Sequence, residues 1–181
     1  MRAGRGAGVV LALALGACRS RDAGTADAGV LPPQSALTCE ALLPLEVREA
    51  LAGFTFREER PCPTCGPLCT FHSAEQKGVT VSIAYDCRKR FEGADVRELL
   101  APTLRAGGVE VPALGKAAAR REPVPGMLQV VTWDDDTPCG LIVTWLGGDK
   151  ERALDIARMT LFATNGERLA QAATPPDAGQ P

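Results

Sequence analysis

The chain has 181 residues, with 20 basic and 22 acidic side chains, a net charge of −2, and His72 as its single histidine. A mildly acidic balance argues against nucleic acid as a partner and against a polybasic attachment to anionic lipid. One histidine and an aromatic content of 4% thin the options for acid–base catalysis.

The first segment is a targeting pattern. Met1 to Gly8 carries Arg2 and Arg5 and no acid, Val9 to Leu15 is apolar, and small residues follow. A basic start, a short apolar run and small residues before a cut make a secretory signal. The run is too short to span a bilayer, which takes roughly 20 apolar residues. The quartet Leu15-Gly16-Ala17-Cys18 resembles the bacterial lipobox. That resemblance implies diacylglycerol on the Cys18 thiol, cleavage after Ala17, and a further acyl chain such as palmitate on the new amine. Two or more chains anchor a protein stably to a bilayer. Without residues 1–17 the chain keeps 18 bases against 22 acids, a net −4.

Residues 18–35 are rich in Ala, Gly, Asp and Pro without apolar periodicity. They are expected to be a flexible tether. Residues 172–181 have the same character and are expected to be a disordered tail. Residues 36–171 are then one domain of about 130 residues, large enough to bury a core of its own.

Within that domain, Thr38 caps a turn over Cys39 to Leu43, and Pro44 restarts a helix through Ala52. A strand is expected at Phe54 to Glu59. A hairpin is expected at Cys69 to Ala74 and Val79 to Asp86. Asp95 caps a second helix, with Glu98 completing a capping-box pattern and Pro102 kinking or shortening it. Strands follow at Ala117 to Glu122, Met127 to Trp133 and Gly140 to Leu146, with turns at Pro125-Gly126 and Asp134 to Pro138. A last helix runs from Asp149 to about Ala163. Runs of hairpin-linked strands with interspersed helices predict an α+β fold. Its form is a single antiparallel sheet with helices packed on one face.

Apart from Cys18, six cysteines remain: Cys39, Cys62, Cys65, Cys69, Cys87 and Cys139. An even number in an exported domain predicts three disulfides, with 15 possible pairings. The densest cluster runs from Cys62 through Cys65 and Cys69 to His72. Three chemistries suit it. A Cys-x-x-Cys pair can exchange disulfides, but it needs a helix N-terminus to stabilise its thiolate, and this one lies in a Pro/Gly loop. Three cysteines and a histidine can hold zinc, but all four lie within eleven residues and export is oxidising. Structural disulfides are the expectation. Asp134, Asp135 and Asp136 lack the alternation and closing Glu of a calcium loop and read as a solvated turn. Arg88, Lys89 and Arg90 read as a solvated basic loop. Trp133 and Trp145 are expected to pack in the core or across strands, with groove lining as the other option.

Three stretches of the domain carry a further resemblance. They are Cys39-Glu40-Ala41-Leu42-Leu43-Pro44-Leu45-Glu46-Val47, Cys69-Thr70-Phe71 and Val111-Pro112-Ala113-Leu114-Gly115-Lys116-Ala117-Ala118, followed by strands and an Ala-rich helix. Together they resemble the uncharacterised domain of actinobacterial cell-envelope lipoproteins. That domain is similar in turn to the extracellular sensor domains of membrane serine/threonine kinases. The resemblance implies an α+β fold, no known catalysis, and a bridge from the first helix to the second strand, which here means Cys39 to Cys69. Cys62 and Cys65 are an insert that departs from the pattern. A Cys87–Cys139 bridge would join the two strand groups, and Cys62–Cys65 is the remaining pair. A swap that pairs Cys39 with Cys62 or Cys65 stays open.

The sequence thus predicts a lipid-anchored protein of the bacterial cell envelope, held on a bilayer through Cys18. Arg19 follows that cysteine, and sorting rules at this position differ among bacteria. The domain is expected to be a non-enzymatic binding, sensing or interaction module. Its partner would be an envelope protein or small ligand, with no cofactor, no metal and no catalytic residue. The alternative is an exported thiol–disulfide oxidoreductase using Cys62 and Cys65. Mass spectrometry of mature protein should find an acylated N-terminal peptide beginning at Cys18, and Cys18→Ser should leave uncleaved or soluble chain. An unmodified peptide reading through Ala17-Cys18 would overturn the lipidation.

Overall fold

Local signals near the start of the domain set two short helices in succession. A computed structural model describes residues 37–61, 65–86, 93–134 and 140–164. In it the Thr38 hydroxyl accepts from the Ala41 amide and starts α1, Cys39–Leu42. Pro44 ends that turn and α2 follows at Leu45–Ala50, two residues short of the predicted end. Three strands come next: β1 Phe54–Glu59, β2 Leu68–Ser73 and β3 Thr80–Asp86. The Asp95 carboxylate accepts from the Arg97 amide at the head of α3, Val96–Arg105. Then come the two-residue β4 at Val109–Glu110, β5 Ala117–Arg121, β6 Met127–Trp133, β7 Gly140–Leu146 and α4 Arg152–Ala163. The strand β4 was not anticipated. Pro102 neither ends nor shortens α3 early; the helix runs on through it to Arg105.

The seven strands form one sheet in the order β1-β2-β3-β7-β6-β5-β4, and every neighbouring pair is antiparallel. This is the α+β architecture with a single antiparallel sheet that the hairpin runs predict. Two consecutive meanders, β1-β2-β3 and β4-β5-β6-β7, are joined where β3 pairs with β7. The register there pairs Thr80 with Leu146 and Asp86 with Gly140.

Side chains alternate between the faces of a strand, so the registers assign each residue a side. On one face lie Val81, Ile83 and Tyr85 of β3, Leu128 and Val130 of β6, and Leu141, Val143 and Trp145 of β7. They form one core cluster with Leu42, Val47 and Leu51 of the N-terminal helices and Ile156, Ala157 and Leu161 of α4. Phe54 meets the Trp145 ring edge-on at 6.2 Å, and the Arg152 guanidinium lies 5.1 Å from the centre of that ring. Arg152 also donates to the Ala50 carbonyl at 2.8 Å. These contacts tie the end of α2 and the start of β1 to β7 and the start of α4.

The helices do not all lie on that face, and the one-face expectation is corrected for α3. Ala117 and Ala119 of β5 and Val131 and Trp133 of β6 point the opposite way and form a second cluster with Leu99 and Leu100 of α3. So α1, α2 and α4 cover one side and α3 covers part of the other. The reason lies in the strands. Ala117-Ala118-Ala119 and Val130-Val131-Thr132-Trp133 are buried at consecutive positions. A strand covered on both faces reads as a continuous apolar run and loses its alternation. The small β5 alanines also let both layers come close.

Gly115 belongs to the turn that feeds β5. It has φ +63°, and a Cβ there would stand 2.4 Å from the Trp133 carbonyl oxygen and 2.8 Å from a Leu161 methyl. Only glycine fits where the backbone presses so close.

Cys39 and Cys69 are disulfide-bonded across 30 residues, with Cα atoms 5.8 Å apart. This is the bridge that the resemblance implies. Both cysteines are fully buried. Next to it, the Cys39 amide donates to Glu58 Oε2 at 2.9 Å, and Arg60 reaches the Leu37 carbonyl. Replacing Cys39 and Cys69 together by Ala should lower unfolding free energy by about 3–4 kcal/mol, the loop-closure value for this length. Chemical denaturation of the variant against the parent reads it directly.

Candidate functional site

The face that carries α3 is only partly covered, and this makes a groove. α3 packs over β4, β5 and the near side of β6. Beside it, β6 and β7 are left as a floor, and the gap holds about 380 Å³. Small-ligand pockets typically run from roughly 300 to 1,000 Å³. Val131 and Ile142 form the floor, and Leu99 and Pro102 of α3 form one wall. Trp133 and Gly140 stand at one end, with Asp86 beyond them on β3. Because Gly140 has no side chain, that end is notched down to the backbone.

The other end is polar and ordered. Registers place Arg57, Thr70, Ser82, Thr144, Gln129 and Arg121 in one row across six strands. Within it, Gln129 Nε2 donates to Thr144 Oγ1 at 3.3 Å, and Arg121 Nε donates to Gln129 Oε1 at 2.7 Å. Arg121 is half-buried, and its terminal nitrogens bond to no described residue. Pro102 has no N–H, so α3 lacks the backbone bond from position 102 to the Glu98 carbonyl one turn earlier. Glu98 itself is exposed and lines the groove.

A second hollow, of about 460 Å³, lies on the other face at the β1 edge. Leu43, Leu51, Phe54, Phe56 and Phe71 wall it, beside Cys39. Phe56 stays 46% exposed there and stacks at a tilt on Phe71 with centroids 5.2 Å apart. Glu40 and Arg48 line it as well, and Arg48 donates to the Glu40 main-chain carbonyl. In the α3 groove an apolar floor meets a guanidinium held through Gln129 and Thr144, the pattern of a small-molecule site.

The residues singled out from sequence are distributed as follows. Cys18, Cys62, Cys87 and Cys139 lie outside the described residues, as do Arg88, Lys89, Arg90, Asp135 and Asp136, so the Cys62–Cys65 and Cys87–Cys139 pairings fall there too. Cys65 is disulfide-bonded, and its partner is not Cys39 or Cys69, which bond each other. His72 is exposed on β2, and its Nδ1 lies 3.3 Å from Thr80 Oγ1. Among the described residues, no group of three or more His, Cys, Asp and Glu is placed to hold a metal ion. The two tryptophans separate: Trp145 packs in the larger core and Trp133 lines the groove from the opposite face.

Sequence reasoning missed Arg121, Gln129, Thr144 and Asp86 as a set. They come from four strands: the β5–β6 and β6–β7 pairings align Arg121, Gln129 and Thr144, and the β3–β7 junction adds Asp86. One signal was present: Gln129 is the single amide in the otherwise apolar stretch from Met127 to Val131.

No protein-family model, no curated protein and no solved structure matches this chain.

Burial ranks the two bonded sites by access. Cys65 is half-buried, whereas Cys39 and Cys69 are sealed. Mild reductant under native conditions should therefore open the Cys65 bond first and leave Cys39–Cys69 intact. Alkylation followed by peptide mass spectrometry checks the order.

Proposed function

We propose that this chain is a lipid-anchored protein of the bacterial envelope whose domain binds a ligand without turning it over. The signal-like start and the Leu15 to Cys18 quartet support the anchor. The groove between α3 and the sheet is the observation that carries the binding role. It offers an apolar floor and a guanidinium whose orientation is fixed by neighbours. The likeness to envelope lipoprotein and kinase sensor domains points the same way. On this reading the fold is a rigid frame, the ligand sits beside α3, and Cys18 fixes the location.

The rival role is thiol–disulfide exchange at Cys62 and Cys65. A half-buried disulfide at Cys65 in a Pro/Gly loop keeps it in view. The two roles separate in the test tube. As a binding protein, the full chain should gain melting temperature with some members of a small-molecule panel, and the resonance shifts should map beside Trp133 and α3. It should not reduce insulin, and Cys62→Ser should leave that null result unchanged while lowering the melting temperature. Insulin reduction by the parent and its loss in Cys62→Ser would reverse the assignment. Turnover of an envelope substrate that depends on a defined residue would also end the binding proposal.

A further inference from the structure

We infer that the α3 groove takes a small organic anion with an apolar body, its carboxylate or phosphate held by Arg121. This rests on the groove being the ligand site. The inference starts from how Arg121 is held. A guanidinium presents five donors in a planar fork. Gln129 takes the Nε donor, and Thr144 in turn takes a donor from Gln129. That chain fixes the plane of the fork and leaves the two terminal nitrogens without a described partner. A pair of parallel donors on an oriented plane matches the two oxygens of a carboxylate or phosphate.

The rest of the groove sets the body and the polarity of the ligand. Val131 and Ile142 form a floor that gains from covering by apolar atoms. Asp86 lies two side-chain rows further along the strands than the Arg121 row. At about 6.7 Å per row, that is roughly 13 Å. The separation exceeds a Debye length of about 8 Å at physiological salt. Asp86 is thus remote from the Arg121 end, and Glu98, the groove's other carboxylate, is exposed on α3. The ligand's orientation follows: head at Arg121, apolar body over β6 and β7 toward Trp133. Gln129 and Thr144 are positioning residues in this scheme, and Arg121 is the contact.

The test uses the full lipidated chain in nanodiscs, with empty nanodiscs as the control. 2-Naphthoate is compared with its neutral amide by calorimetry, and the Trp133 indole resonance reports occupancy of the groove. The carboxylate should bind at least about tenfold more tightly than the amide, the scale of a charge-assisted hydrogen-bonded pair. Arg121→Gln should remove that preference, and Arg121→Lys should restore part of it. Gln129→Leu should weaken the carboxylate and leave the amide unchanged, which a general loss of folding would not do. Melting curves of each variant establish that it is folded. Equal affinity for acid and amide, with the Trp133 signal shifted by both, overturns the anion assignment while the groove stays a binding site. Binding of neither probe at Trp133 overturns the groove as well.

Discussion

The pairing of β3 with β7 is the constraint on which the remaining structure depends. Each of the two meanders contains hairpins that form from neighbouring residues. The join between them does not: Thr80–Asp86 must find Gly140–Leu146 across more than fifty residues. Once it does, three strands and four strands become one sheet, and α4, which follows β7 directly, drops onto the seam. The larger core then draws on every described helix except α3. The polar row from Arg57 to Arg121 also exists only because of this register. A slip of one residue at the junction would turn every side chain of one meander to the wrong face.

Much of this frame was legible in the sequence because it is encoded locally. Thr38 and Asp95 are caps, Pro44 and Pro125-Gly126 are punctuation, and the strands at Phe54, Met127 and Gly140 start where their patterns start. The placement of α3 departs from the one-face expectation. Alternation points every helix to one side, yet Ala117-Ala118-Ala119 and Val130-Val131 are consecutive apolar residues, the mark of strands covered on both sides. That signal was in the sequence. What was not in it is the partner each buried face would take, since that is set by sheet order.

The candidate site was nearly illegible for a related reason. Attention to cysteines, acids and the lone histidine picks residues by their chemistry. The groove is made by ordinary types, an Arg, a Gln and a Thr, whose meaning comes from standing in one row. Sequence neighbours say little about row neighbours. The Cys39–Cys69 bridge was anticipated only through a family likeness, and nothing in residue spacing singled it out among 15 pairings.

That bridge also decides how the domain carries mechanical load. A pull applied at Leu37 reaches Cys39 after two residues and passes through the covalent link into Cys69 on β2. Residues 40 to 68 are out of the line of force, so α1, α2 and β1 cannot be peeled away in sequence. The first described strand to feel tension is β2, an interior strand with hydrogen-bonded neighbours on both sides. A protein tethered at its N-terminus and tugged by its surroundings would therefore resist as a whole sheet. With the bridge reduced, the same pull would unravel two short helices and an edge strand one after another.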